Sequence, residues 1–238
     1  KNLPILYEKA MTEAGNPAVD IIAVTQGPGL EPALWTGIEF AKELSKKLGV
    51  PVIGVDHMEG HIISGMVTQK DGKAYELASP LFPVLGLLIS GGHTELVLMK
   101  EWFEYELIGR TLDDAVGEAF DKVARMLDLP YPGGPKIEKL AAQATERGAK
   151  HAIVFPRPMA HDQTCNFSFS GLKTAVLYQV RDMKDLSDED KEHVAQAFQD
   201  AARDVLVLKT RRALEQTGAK TLAVGGGVSA SKNIRKGL

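Results

Sequence analysis

The chain has 238 residues, 44% of them hydrophobic, with 28 basic against 31 acidic side chains and a formal charge of −3. It reads as globular and soluble, long enough for one large or two small domains with a real core. The charge argues against a broad electrostatic grip on nucleic acid, although a local basic patch would be invisible in that sum. The single cysteine, Cys165, excludes an intrachain disulfide framework and fits a reducing compartment, so a cytoplasmic protein is expected. The longest apolar run, "LFPVLGLLI", is interrupted by Pro83 and Gly86 and falls short of the roughly 20 residues of a membrane helix, so no membrane association is expected. The chain begins at Lys1, and "SASKNIRKGL" reads as a helix cut after two turns, so a piece of a longer protein is expected.

Apolar spacing predicts a helix over 3–14 that stops at Gly15, then a buried strand in "DIIAVTQ". After "GPGLEP", a second helix from Ala33 to Leu48 stops at Gly49, and "PVIGV" follows as a strand. Helices and strands alternating in this way mark a parallel α/β layer.

The stretch "VDHMEGHII" places two histidines four apart directly after that strand. On a helix starting near Asp56, the rings of His57 and His61 share a face, with Cβ atoms about 5–6 Å apart. Neutral imidazoles at this spacing suit zinc or ferrous iron, and the end of a parallel strand is where open α/β sheets place ligands. Two ligands do not complete a metal site, however, and two solvated or hydrogen-bonded histidines fit the spacing as well. Glu59 is not the adjacent Glu that an HExxH zinc-peptidase helix requires.

Residues 69–80 are polar and turn-rich, and they divide the chain into a first α/β lobe, 1–78, and a second, 79–238. Beyond them, "FPVLGLLIS" and "TELVLM" are strands joined by "GGH", a tight hairpin, with a third strand over about Tyr105 to Arg110. The glycines of "LLISGGHTELVL" can align backbone N–H groups into an anion nest, with Ser90 and Thr94 adding hydroxyls, or they can form an ordinary hairpin turn.

From Thr111 the pattern turns helical, and "DDAVGEAFDKVARML" puts Asp114, Glu118 and Asp121 on adjoining rows of one face, which is also the pattern of a solvated surface. "YPGGP" is a rigid turn that either brings the Gly134 backbone near a sugar or base or merely separates helices. In "NFSFSGLKTAV", Phe167 and Phe169 alternate with Ser168 and Ser170 beside Lys173, which fits a core strand or a polar pocket. A last strand, "TLAVG", opens into "GGGVSAS", a glycine loop at a helix start.

In order, "TQGPGL", "HMEGH", "LLISGGHTEL", "GEAFDKVARML", "YPGGP", "FSFSGLKTA" and "GGGVSAS" closely resemble the universal tRNA N6-adenosine threonylcarbamoyltransferase (TsaD) family over nearly the whole chain. The resemblance implies an actin-like ATPase fold, shared with sugar kinases and heat-shock ATPases, with two α/β lobes around a nucleotide cleft. It implies transfer of threonylcarbamoyl from threonylcarbamoyl-AMP to N6 of the adenosine 3′ of the anticodon, in tRNAs reading codons that start with A.

By similarity, His57 and His61 are two of three protein ligands to one divalent metal, Fe2+ or Zn2+. Leu88, Ile89, Ser90, Gly91 and Gly92 form the substrate-phosphate loop. Asp121 and Gly134 contact the nucleoside, Glu138 joins them, and Ser231 stands where bacterial members commonly carry Asn. The family's opening phosphate loop is absent, and the aspartate that supplies its third metal ligand lies beyond Leu238. The implied partners are tRNA and the accessory proteins of the same system, a paralogous actin-like subunit and a small ATPase. Lys136, Lys139, Lys150 and Arg157 are candidate phosphate contacts or solvated cations. The competing readings are a non-catalytic actin-like scaffold and, with the wrong Glu spacing against it, a zinc metallopeptidase.

Overall fold

Proline at the start of a helix and glycine just past its end punctuate the first third of the chain. In the computed structural model, which describes residues 2–70, 74–148 and 153–238, two compact units emerge, Lys1–His61 and Ile62–Leu238. The first unit holds helix α1 (Leu3–Glu13), strand β1 (Ile22–Gly27), helix α2 (Glu31–Leu48) and strand β2 (Val52–Asp56), and helix α3 (His57–Ser64) begins in it. β1 and β2 pair in parallel, from Ile22 opposite Val52 to Thr25 opposite Val55. Pro32 sits in the first turn of α2, where a missing N–H is harmless. At the other end, Gly49 adopts φ 72° and returns its N–H to the Ser45 carbonyl at 2.8 Å, a left-handed stop that glycine makes without strain.

The second unit contains the rest of α3, whose Ile62 is buried, and a hairpin of β3 (Val67–Lys70) and β4 (Ala74–Leu77). These strands take up 69–70 and 74–77 of the turn-rich 69–80 segment, of which residues 71–73 lie outside the described residues. The main sheet has the order β7 (Glu104–Arg110), β6 (Thr94–Glu101), β5 (Val84–Ile89), β8 (Thr221–Gly225). β5 is antiparallel to β6, β6 to β7, and β5 parallel to β8. Every residue of β5 is buried, which is why that strand reads as a continuous apolar run rather than an alternation.

Helices α4 (Val116–Met126), α5 (Gly133–Glu146), α6 (Ser170–Met183), α7 (Asp188–Thr217) and α8 (Lys232–Gly237) complete this unit. Leu85, Leu87 and Ile89 share its core with Phe120, Phe167, Phe169 and Phe198, so the alternating aromatics of "NFSFS" are core residues. The Phe120 and Phe198 rings meet edge to face at 4.9 Å. The buried Lys209 extends from α7 to Asp162 Oδ1 at 2.6 Å and the Thr164 carbonyl at 2.7 Å, tying the connection before α6 to the long helix. Among the described residues, no helix is long and apolar enough to cross a membrane.

One expectation is corrected. The helix expected over the whole of "DDAVGEAFDKVARML" begins at Val116, so Asp113 and Asp114 precede it, and Asp114 shares no helical face with Glu118 and Asp121. The cause is long-range, because the first free N–H of α4, at Val116, is capped by Thr94 Oγ of β6 at 2.8 Å. Asp113 accepts hydrogen bonds from the hydroxyls of Ser168 and Ser170, both 2.6 Å, and from the Phe169 and Ser170 amides, so it caps α6. Asp114 pairs with Lys173 at 2.6 Å and Lys122 at 2.8 Å.

Partial burial pushes the Asp114 carboxyl up, but the hydrogen bonds from Lys122 and Lys173 outweigh it and hold the group below its ordinary range. A carboxyl lowered by folding contributes stability that is fully present above the unfolded value of 3.8 and lost as pH falls through the folded one. We therefore expect Asp114→Asn to lower the melting temperature more at about pH 7 than at about pH 3, which lies below the unfolded value of 3.8, where the stabilising contribution has begun to be lost. Thermal melts at both pH values check this, and an equal deficit at both would refute it.

Candidate nucleotide and metal sites

The parallel strands β5 and β8 both end at glycine turns, and the space beyond their carboxyl ends is a cavity of about 350 Å³. Its wall is built by Gly91 after β5, Gly117, Phe120 and Asp121 of α4, and Tyr131, Gly134 and Glu138 around the start of α5. Val228 and Ser231, from the turn after β8, close it. The crevice outside the carboxyl ends of sheet strands is where open α/β folds bind ligands. It lies wholly within the second unit.

Glycines make this convergence possible. The Gly117 amide donates to the Ser90 carbonyl at 3.2 Å, and a Cβ on Gly117 would lie 2.5 Å from that oxygen. Gly133 packs α5 onto α4, where a Cβ would meet the Ala124 methyl at 2.5 Å. Gly226 has φ 90° and presses on the Ile89 carbonyl. Gly134, by contrast, has nothing within 4 Å of where a Cβ would lie, so its face is open to the cavity.

Two carboxylates face this space, each held by one oxygen. Asp121 Oδ1 accepts from the Gly133 amide at 2.7 Å. Glu138 Oε1 accepts from the Lys232 amide at 2.6 Å and the Ser231 hydroxyl at 3.2 Å. Asp121 Oδ2 and Glu138 Oε2 have no hydrogen-bond partner among the described residues and are placed to accept from ligand hydroxyls. Ser231, besides donating to Glu138, caps α8 through the Ile234 amide.

The substrate-phosphate loop expected at 88–92 is the end of β5 and the turn after it. Leu88 and Ile89 are buried, so only their backbone reaches the turn. Ser90 Oγ accepts from the Gly92 amide at 3.3 Å and the His93 amide at 3.0 Å, while the Gly91 amide has no partner among the described residues. The amides thus converge on one oxygen, which in this structure belongs to the Ser90 hydroxyl. Rotation of that side chain would free both for another anion.

In the first unit, Asp56 Oδ1 caps α3 by accepting from the Met58 amide at 2.8 Å and the Glu59 amide at 3.0 Å. The helix it starts carries His57 and His61 on one face, their ring centroids 4.4 Å apart. Two imidazoles on successive turns offer two nitrogen donors, which fits part of a zinc or iron shell. No group of three or more His, Cys, Asp or Glu among the described residues could hold a metal ion.

Of the candidate phosphate contacts, Lys136 and Lys139 are exposed on α5 beside Glu138, and Arg157 is engaged by Asp204 at 2.7 Å and the Phe155 carbonyl. Lys150 lies outside the described residues. Sequence reasoning did not single out Gly117, Phe120 or Tyr131. A glycine inside a helical pattern signals close approach, and that signal was present in "VGEAF".

The second unit is thus an α/β fold with its ligand cavity at the carboxyl ends of its parallel strands, the position that open α/β sheets use for their ligands. The crystal structure of HypF from T. kodakarensis aligns with 98% of this chain and 38% of its own at a TM-score of 0.65, and the 15% identity supports likeness of fold alone. The family model for tRNA N6-adenosine threonylcarbamoyltransferase matches residues 1–238. The transferase of that name from Thermosipho africanus is 46% identical over 237 residues, 99% of this chain and 68% of the relative. The one from Chromobacterium violaceum is 44% identical over 239 residues, 98% of this chain and 67% of the relative. The chain belongs to this family of tRNA-modifying transferases.

The glycine contacts predict a contrast. Gly117→Ala should destabilise the fold by about 1–3 kcal/mol through overpacking against Ser90, whereas Gly134→Ala should leave the melting temperature within a degree or two and weaken nucleotide binding. Paired thermal melts and AMP titrations check both halves.

Proposed function

We propose that the chain transfers threonylcarbamoyl from threonylcarbamoyl-AMP to N6 of the adenosine 3′ of the anticodon, in tRNAs reading codons that start with A. The observation that carries this reading is the assembly of Gly91, Asp121, Gly134, Glu138 and Ser231 around one cavity. The donor's ribose hydroxyls donate to the free oxygens of Asp121 and Glu138, and the Gly134 backbone lies along the nucleoside. Phe120 and Tyr131 supply apolar surface for the base. Its phosphate sits on the turn 90–92, receiving the Gly91 amide and, once Ser90 Oγ rotates away, the Gly92 and His93 amides.

In the reaction, the adenine amine forms a bond to the carbamoyl carbon, the bond from that carbon to the phosphate oxygen breaks, AMP departs and the amine loses a proton. The adenine amine is a weak nucleophile because its lone pair is conjugated with the ring. Holding donor and acceptor in register therefore supplies much of the acceleration. His57 and His61 would hold one divalent ion, Fe2+ or Zn2+, which when bound supplies Lewis-acid stabilisation of charge on the carbonyl or phosphate. Asp56, by capping α3, fixes the backbone that presents both imidazoles.

The anticodon loop is single-stranded and can splay a base out to the enzyme, with Lys136 and Lys139 offering charge near the cavity. With a net charge of −3, the chain relies on accessory proteins to hold tRNA, and we assign that role to the paralogous actin-like subunit and small ATPase of a cytoplasmic system.

The test is to incubate the intact protein, with partner proteins from its source, with threonylcarbamoyl-AMP and unmodified tRNA. The digested RNA is then searched by mass spectrometry for N6-threonylcarbamoyladenosine. Product that disappears on chelation is expected, and its absence under all conditions would contradict the proposal. His57→Ala should reduce transfer by at least about 100-fold with an unchanged circular dichroism spectrum; retained activity would remove the metal role.

A further inference from the structure

The turn 90–93 has a second cavity on its other flank, about 320 Å³, between the start of β6 and the end of β7. Its walls include His93, Glu95, Arg110 and Thr111. Glu95 and Arg110 are direct cross-strand partners, so their side chains lie on one face of the sheet. Opposite charges in that position ordinarily form an ion pair. Here neither the guanidinium nor the carboxylate has a hydrogen-bond or ion-pair partner among the described residues. Among the described residues of this unit, Lys122, Lys173, Arg203 and Lys209 each hold a carboxylate, whereas Arg110, like Lys136 and Lys139, does not.

The backbone that carries Arg110 is nevertheless fixed. Its N–H donates to Asn166 Oδ1 at 3.0 Å and its carbonyl accepts from the Phe167 amide at 3.0 Å. The next residue, Thr111, donates its N–H to the Thr94 carbonyl at 2.8 Å and its hydroxyl to the Asp114 carbonyl at 2.8 Å. Arg110 is exposed at the rim of this polar cavity on a strand whose backbone is fixed, so its fork of donors is within reach of a planar anion entering the cavity, and that fork matches a carboxylate.

We infer that this second cavity takes the amino-acid end of the acyl donor, with Arg110 donating hydrogen bonds to its carboxylate and Glu95 accepting a hydrogen bond from its hydroxyl. The inference rests on the donor reading given above. Gly91 lines the first cavity and Gly92 the second, so a phosphate held on the turn has the nucleoside on one side and the acyl group on the other. A donor lacking the carboxylate would leave Arg110 unpaired, which makes Arg110 a specificity-determining residue for the amino acid.

The test measures binding by calorimetry in the intact protein. The probes are AMP, a non-transferable sulfamoyl analogue of threonylcarbamoyl-AMP, and the same analogue with 1-amino-2-propanol in place of threonine. Wild type should prefer the threonyl analogue to the decarboxylated one. Arg110→Gln should weaken the threonyl analogue about 10- to 100-fold while AMP and the decarboxylated analogue stay within about twofold, and Arg110→Lys should restore part of the loss. Equal weakening of AMP and the threonyl analogue would make Arg110 structural and overturn the inference. No change in any ligand, or a loss confined to tRNA binding, would overturn it too. Wild-type protein that binds AMP but does not distinguish the two analogues sinks this inference alone, and protein that binds none of the three sinks the donor reading with it.

Discussion

The hydrogen bond from the Gly117 amide to the Ser90 carbonyl brings the first turn of α4 against the end of β5. That approach leaves no room for a side chain, and it places Phe120 and Asp121 of the same helix on the cavity wall. Gly226 pressing on Ile89 does the same for the end of β8, and Gly133 for the start of α5. Where side chains are removed, backbone groups approach closely enough to hydrogen-bond, and the ends of a sheet and two helices close around one space. The large apolar residues behind this rim, among them Phe198 and Leu87, hold the elements rigidly enough for the space to persist.

Within that frame, the polar groups of the cavity divide their capacity. Asp121 and Glu138 each commit one oxygen to the protein, which fixes the carboxylate plane, and leave the other toward the cavity. Ser90 covers the Gly92 and His93 amides with its own hydroxyl, which keeps both satisfied. Glu138 also joins α5 to the start of α8 through the Ser231 hydroxyl and the Lys232 amide, so a carboxylate on the cavity wall also anchors the last helix described above.

Much of the local structure was legible in the sequence. Gly49 marked the end of α2, the buried run of β5 and the Gly-Gly turn marked a hairpin, and His57 and His61 fell on one helical face as their spacing required. The start of α4 was not legible, because its cap, Thr94, lies 22 residues away on a strand. The partners of Asp113 and Asp114 are Ser168, Ser170 and Lys173, 55 to 59 residues away, and a periodicity argument sees only neighbours within a few turns. Likewise, the sequence left open whether the Gly91–Gly92 turn was an anion nest or an ordinary hairpin turn, and it could not show that Ser90 Oγ accepts from the Gly92 and His93 amides. The ordered set of motifs carried the family, while the convergence of Asp121, Gly134, Glu138 and Ser231 on one cavity needed the fold.

The central claim is that the free oxygens of Asp121 and Glu138 receive the hydroxyls of a ribose. Calorimetric titration of the intact protein with AMP and with its 2′,3′-dideoxy analogue tests it most directly. Loss of both hydroxyls leaves the carboxylates without their ligand donors, and the account predicts dideoxy-AMP binding weaker by at least about tenfold. Equal affinity for the two nucleotides would contradict it, and would leave Asp121 and Glu138 as helix-anchoring residues only.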